Sequence, residues 1–350
     1  MDKLGVGIIG CGAVAEEYVK AFEKDERSRV SALVDRDRAK ADCYRDRYNL
    51  DCRVSICDFQ SAIGNRQSAI FDPDVDIVVV CTPHDHHATY AVAAAQAGKH
   101  VIIEKPVALT LQDLRREQEA VKKAGVKTLV GFVLHWNPLL MTIDRLITQG
   151  AFGHIFMIEV DYMHRIWLTT EQKWYASRKQ SGTAILTGGC HAIDALRWFA
   201  RSEAEEVAAY QVKTENPIEY PGTISVNVKF ENGTIGRSTT TFDARMPYRF
   251  NIGIYGTEGT LRNNELFAPR LFPGQADFMR IPCVLPDSAD VTHHPFEGET
   301  SHFLDCIIED RRPYPDLEDA AKTHAVCFAA DLSAESGRPV AIRELDGMQG

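Results

Sequence analysis

The stretch LGVGIIGCGAVA, Leu4 to Ala15, decides the fold. Its apolar run ends at Gly10, and Gly10, Gly12 and Ala15 fall in the spacing G-x-G-x-x-G/A just ahead of the helical composition AEEYVKAFEK. A strand that turns on glycine into a helix brings helix-terminal N–H groups to face an anion. The first two positions allow a tight turn and close approach of a pyrophosphate, and the third allows close helix packing. Moving outward, the next apolar run, RVSALVD, ends at Asp35, about 20 residues beyond the glycines. An acid there accepts from both ribose hydroxyls of a dinucleotide. Arg36 follows, but the Asp35 carboxylate repels a 2′-phosphate, so NAD is expected over NADP.

The same alternation continues to about residue 131. VDIVVVCTP, HVIIEKP and KTLVGFV are short runs whose continuous apolarity suits strands covered on both faces. RAKADCYRDRYN, HATYAVAAAQAGK and LQDLRREQEAVKKAG between them have helical composition, with Gly98 and Gly125 where helices are expected to stop. Strand and helix in repetition mean a doubly wound parallel sheet. After Pro138 the texture changes to alternating, β-branched segments, HIFMIEVDYMH, GTISVNVKF, TIGRSTTTF and RFNIGIYGT. These read as antiparallel strands with one solvated face. Helical stretches GCHAIDALRWFA, ETSHFLDCIIED and LEDAAKTHAVCFAADLSAESG complete an α+β half. The expected domains are residues 1–133 and 134–350, with the late helices packing back on the first.

Composition narrows the functional classes. A 350-residue chain that is 45% hydrophobic is long and apolar enough for two cores. No apolar run approaches the roughly 20 residues of a membrane span, and MDKLGVGIIG lacks a long apolar h-region with a small-residue cleavage site, so a cytoplasmic protein without a membrane partner is expected. Nine cysteines without a C-x-x-C pair fit neither a disulfide framework nor a structural zinc site, and read as reduced, mostly buried thiols. A net charge of −10 without a basic run argues against nucleic acid.

Polar residues gather where the parallel strands end. CTPHDHHA and EKPVAL place Thr82, Pro83, His84, His87, Glu104 and Lys105 at carboxyl ends of strands, where such sheets bind ligands. A lysine there is a flexible cation able to exchange a proton with a substrate oxygen. The alternative for Glu104 and Lys105 is a surface ion pair. The HDHH run, His84–His87, resembles a metal cluster, but neighbours at a helix start do not converge on one ion, so no metal is expected.

GIIGCGAVA, VVVCTPHDHHATYAVAAAQAGKHVIIEKP and GCHAID together resemble the Gfo/Idh/MocA family of nicotinamide-dependent sugar and cyclitol oxidoreductases, over essentially the whole chain. The resemblance implies a Rossmann domain followed by an α+β domain with a large, mainly antiparallel sheet. It makes Lys105 the catalytic lysine, positioned by Glu104 and by Pro106 across a cis bond. The cofactor contacts it implies are Gly10, Gly12, Ala13, Val14, Asp35, Arg36, Thr82, Pro83, His84, His87, Glu104 and Lys105. His84 stands where the family often has Asn. In the second domain, SGTAILTGGCHAID matches the family's histidine segment, which makes His191 catalytic and leaves Asp194 at the last position. Thr187 replaces the family's usual aspartate, and threonine holds neither a proton nor a negative charge. The chemistry is then expected to rest on Lys105 and His191.

Aromatic and polar residues offer a sugar-binding wall: Trp136, Asn137, Tyr162, His164 and Trp167, with Trp174, Tyr175 and Arg178 nearby in sequence. Together with Lys105, Thr187 and His191 these are the substrate-contact candidates, against core packing for each aromatic. The resemblance implies oxidation or reduction of a secondary alcohol or ketone on a sugar, a glycoside (C3 of a glucoside among them) or a cyclitol. It leaves two alternatives. One is an NAD-assisted glycosidase or lyase working through a transient keto-sugar, and the other is a nonenzymatic NAD-binding sensor. It also implies a homodimer or homotetramer built on the second domain's sheet.

Overall fold

The computed structural model describes residues 3–56, 71–166, 168, 173–283 and 294–348. The chain divides into two compact units, Met1–Val133 with Val291–Ala321 and Leu134–Asp290 with Lys322–Gly350.

The first unit holds β1 (Leu4–Ile9), β2 (Ser28–Asp35), β3 (Arg53–Ile56), β4 (Ile77–Val80), β5 (His100–Ile103) and β6 (Thr128–Val130). They form one parallel sheet in the order β3-β2-β1-β4-β5-β6. Helices α1 (Ala13–Lys24), α2 (Arg38–Tyr48), α3 (His87–Gln96) and α4 (Leu111–Ala124) connect them. All four residues of β4 are buried, as a strand covered on both faces requires. Asp37 starts α2 by accepting from Ala39 N, and Thr110 starts α4 by accepting from Asp113 N. Gly98 and Gly125, just past α3 and α4, take the positive φ that a helix stop favours. The strand order reverses between β1 and β4, so the loops leaving those strands diverge and open a crevice at the carboxyl edge.

The second unit is built on a nine-stranded sheet. Its strands are β7 (Ile155–Met163), β8 (Ala204–Val212), β9 (Thr223–Phe230), β10 (Ile235–Thr241), β11 (Arg249–Gly256), β12 (Thr260–Arg262), β13 (Glu265–Phe267), β14 (Met279–Arg280) and β15 (Val340–Ala341). The order is β14-β13-β12-β11-β7-β10-β9-β8-β15. Pairing is antiparallel except at β7 and β10, which run parallel with Thr240 beside Tyr162. The sheet is thus mainly antiparallel, as expected, with one parallel pair at its centre. Alternating polarity reports one solvated face and carries no information on strand direction. The unit also holds α5 (Pro138–Thr148), the short α6 (Arg178–Ser181) and α7 (Cys190–Ala200), which is buried almost along its whole length against the sheet. Late in the chain, α8 (Phe296–Ile308) belongs to the first unit, where Phe296 meets Tyr18 of α1 edge to face at 5.0 Å. The long α9 (Leu317–Ser336) follows.

Candidate active site

At the crevice of the first unit, backbone and glycine build a cradle. Gly10 has φ +91°, and a Cβ added there would lie 2.6 Å from Cys81 O, so glycine lets the loop after β1 touch the loop after β4. A Cβ on Gly12 would meet nothing within 4 Å, so space is open at the N-terminus of α1. Gly12 is the N-cap, no side chain caps this helix, and Ala13 and Val14 form its first turn. Unsatisfied N–H groups and open space together suit a pyrophosphate. Asp35, at the end of β2, is held by two backbone amides, Cys11 N to Oδ2 at 2.8 Å and Asp37 N to Oδ1 at 2.8 Å. That fixes its carboxylate beside the glycine loop. Arg36 is exposed. Burial, and the Asp35 charge after it, pushes the Cys11 thiol up to about 12, so it stays a neutral packing group.

The loops after β4 and β5 are tied together by His87. Its Nδ1 lies 2.8 Å from Pro106 O and its Nε2 2.8 Å from Thr82 O, and the ring is buried. Each ring nitrogen faces a backbone carbonyl of a different loop, so His87 links the loops after β4 and β5. Burial lowers its pKa, and the two carbonyls act the other way. Thr82 Oγ1 is buried and has no hydrogen-bond partner among the described residues, an orphan polar atom that a bound nicotinamide nucleotide would satisfy. His84 is buried in a single 3₁₀ turn after Pro83. Its neighbour His86 is held down to about 4 by burial, and so is neutral at pH 7. Among the described residues no His, Cys, Asp or Glu group is arranged to hold a metal.

Glu104 and Lys105 leave β5 at this edge, and the Lys105–Pro106 peptide is cis, as the resemblance implies. Glu104 is buried. Its Oε1 accepts from Tyr18 Oη at 2.9 Å, and its Oε2 accepts from Lys105 N at 3.1 Å. Burial raises its pKa, while the Lys105 charge and the tyrosine hydrogen bond pull it back. Gly131 leaves room for this carboxyl, because a Cβ there would sit 2.7 Å from Glu104 Oε1. The residues present fit a dinucleotide: an amide cradle after β1, an acid for a ribose at the end of β2, and an orphan hydroxyl in the loop after β4.

In the second unit, His191 is the second residue of α7, and a π-helical turn, Ile185–Gly189, leads into it. Such turns recur at functional sites. Gly188 and Gly189 let this turn press on the sheet, since a Cβ on Gly188 would lie 2.6 Å from the Tyr162 ring and one on Gly189 would collide with Thr240. His191 is buried, its ring near-parallel to Tyr162 at 6.3 Å. Tyr162 also packs edge to face with His164, Phe242 and Tyr248, so one expected wall residue meets His191 and a second, His164, packs against the first. Others do not. Asn137, just after the half-exposed Trp136, caps α5, its Oδ1 accepting from Leu139 N at 3.0 Å. Arg178 is exposed and pairs with Glu335 at 2.5 Å. Trp174 stacks on Tyr175 at 3.9 Å. Trp167 lies outside the described residues. Thr187 is buried and donates to Ser181 O at 2.8 Å, a local structural bond.

One polar network has no counterpart in the sequence reading. His135 Nε2 lies 2.6 Å from Asp194 Oδ2, both residues are buried, and the His135 ring stacks on Trp198 at 4.1 Å. Thr323 donates to Asp194 Oδ1 at 3.1 Å and accepts from Arg197 at 2.9 Å. Asp194 thus anchors α7 one turn beyond His191. The partners lie 59 and 129 positions away from Asp194, so no local spacing announces them.

Comparison with known proteins agrees with this geometry. The model of an oxidoreductase family with an NAD-binding Rossmann fold matches residues 4–132, and that of the GFO/IDH/MocA C-terminal domain matches residues 140–262. The chain is 25% identical to a scyllo-inositol 2-dehydrogenase (NAD(+)) of Bacillus subtilis over 280 residues, 77% of this chain and 78% of that one. It is 23% identical to a D-apiose dehydrogenase of Paraburkholderia graminis over 350 residues, 97% and 90% of the two chains. A 1-carboxy-3-chloro-3,4-dihydroxycyclohexa-1,5-diene dehydrogenase of Comamonas testosteroni is 28% identical over 240 residues, 67% of this chain but only 57% of that relative's length. The crystal structure of an oxidoreductase from Agrobacterium radiobacter in complex with NAD+, L-tartaric acid and magnesium shares the fold. Its TM-score is 0.84 at 20% identity, covering 98% of this chain and 99% of that one. The chain belongs to the Gfo/Idh/MocA family of oxidoreductases, with an NAD-binding Rossmann domain ahead of the family's C-terminal domain.

Proposed function

We propose that the protein transfers a hydride reversibly between NAD and a secondary alcohol carbon of a sugar, glycoside or cyclitol. The observation that carries this reading is the lysine leaving β5 beside the glycine cradle, on a turn braced by Glu104 and His87. The first-turn amides of α1 would hold the pyrophosphate, Asp35 the adenosine ribose, and Thr82 the nicotinamide side. When bound, NAD accepts the hydride from the alcohol carbon. The residues of this chain handle the oxygen. Lys105 Nζ hydrogen-bonds the substrate hydroxyl and stabilises charge on it, and a ring nitrogen of His191 takes the hydroxyl proton as the carbonyl forms. The motif match supports His191 in this role, and the commitment of the Thr187 hydroxyl to Ser181 supports a site that works without the family's usual aspartate.

The inositol and apiose dehydrogenases among the relatives support dehydrogenation over glycoside cleavage. The test is incubation with NAD and a panel of inositols, aldoses and glucosides, followed by mass analysis. The expected product is a ketone two hydrogens lighter than its substrate. A free aglycone, with solvent deuterium next to the oxidised carbon, would overturn dehydrogenation in favour of cleavage. A cytoplasmic location is proposed on the free state of the eight described cysteines. A homodimer or homotetramer through the outer face of the nine-stranded sheet is proposed on the exposure there of Tyr210, Val212 and Ile235. Sedimentation should give a multiple of the chain mass, and Tyr210→Glu should lower it.

A further inference from the structure

Inside the first unit, Tyr18 of α1 meets two carboxyl groups, Glu104 at the exit of β5 and Glu299 of α8. Tyr18 and Glu299 are 0% exposed and Glu104 is 8% exposed. The phenol oxygen lies 2.9 Å from Glu104 Oε1 and 3.2 Å from Glu299 Oε1. Two hydrogen bonds through one phenol oxygen require two protons, and the phenol supplies one. Burial holds the tyrosine well above its ordinary range, so it keeps that proton. The second proton must sit on a carboxyl.

The surroundings decide which one. Glu104 has a second donor, the Lys105 amide at 3.1 Å, and feels the Lys105 charge. Glu299 Oε2 is buried with no hydrogen-bond partner among the described residues, a position that an ionised oxygen tolerates poorly. Cys81 also faces both carboxyls, with Cys11 behind it, and burial holds both thiols in the neutral form. Among the described residues, burial, the Glu104 charge and the Tyr18 hydroxyl act on Glu299, with no cation beside them. We propose that Glu299 is a neutral acid that donates to Tyr18, which donates to Glu104, so that Glu104 remains the single buried anion beside Lys105. Glu299 is then a positioning residue acting through Tyr18 and Glu104, a role that rests on the reading of Lys105 given above.

Difference infrared spectroscopy on the full-length protein at neutral pH tests the proton's location, through the carbonyl stretch of protonated carboxyl groups. Subtracting Glu299→Gln from the wild type should reveal one lost band, and subtracting Glu104→Gln should reveal none. A band lost only from Glu104→Gln, or from neither variant, overturns the assignment. Tyr18→Phe guards against variants that do not fold: it removes the acceptor of the Glu299 proton and must shift that band, and an unmoved band contradicts the proposal. In turnover, Glu299→Ala should lower kcat by about tenfold or more, and Glu299→Gln, which keeps a donor to Tyr18, should restore most of it. Failure of glutamine to rescue contradicts a donor role. The infrared result is independent of Lys105, whereas wild-type turnover by Lys105→Met would overturn the lysine reading and leave the proton assignment standing.

Discussion

Asp331 shows how far burial, aided by the Glu335 charge, moves a single side chain. It lies on α9, its Oδ2 accepts from Thr183 Oγ1 at 2.7 Å, and burial raises it from 3.8 to about 7. Because the folded-state pKa is raised, the proton is bound more tightly in the native state. The resulting stability is fully present below about 3.8 and is lost as pH rises through about 7. Asp331→Asn, which cannot ionise, should therefore gain on the wild type between pH 5 and pH 8, by on the order of 1 kcal/mol in urea unfolding. A stability difference that stays flat with pH would refute the shift. At this scale the sequence reveals residues whose chemistry follows from local spacing: Gly10, Gly12 and Asp35 from the strand-turn-helix pattern, and Lys105 from a charged exit on an apolar strand. Residues whose role depends on distant partners stay hidden. Glu299 lies 281 positions from Tyr18, and His135 lies 59 from Asp194. Asn137 and Arg178 were plausible sugar contacts as residue types, but a helix start claims one and Glu335 the other.

Among the elements, the turn after β1 is the most constrained. Gly10→Ala places a Cβ 2.6 Å from the Cys81 carbonyl at φ +91°, so it should cost about 1–3 kcal/mol and weaken NAD binding. Denaturant midpoints and calorimetric titration with NAD check the two effects. Unchanged affinity in a folded variant would count against the cradle. The strands of the first sheet were legible where they are buried on both faces, as at β1, β4 and β5. β3 was missed because it is four residues long, with exposed residues at both ends. β8 was missed because Glu205, Glu206 and three alanines blur its alternation, although Val207 and Ala209 face the core. The parallel pairing of β7 with β10 was out of reach for a different reason. Direction is set by how the chain returns to the sheet, and polarity alternation is the same for either direction. The π-helical turn before α7 was also unreadable as such, although the Gly188–Gly189 pair that permits its contact with the sheet stands in the sequence.

At the scale of the whole molecule, each of the two units carries its own part of the candidate residue set. The first carries the dinucleotide cradle and Lys105, and the second carries His191 on a helix fixed by the Asp194 network. The family match over residues 4–132 and 140–262 covers both units, which is why the fold class and the cofactor followed from a few short motifs. The substrate does not follow in the same way, because Tyr162 is joined by Phe242, just after β10, and Tyr248, in the loop leading into β11, and no local spacing marks either of them. The most direct measurement is absorbance in the NADH band for the wild type and Lys105→Met, each with NAD and the panel of inositols, aldoses and glucosides. Catalysis by Lys105 predicts a band that grows with at least one polyol in the wild type and stays flat in Lys105→Met, while calorimetry shows NAD still bound to the variant. A band growing at the wild-type rate in Lys105→Met, or no growth with any member of the panel in wild type that binds NAD, would contradict it.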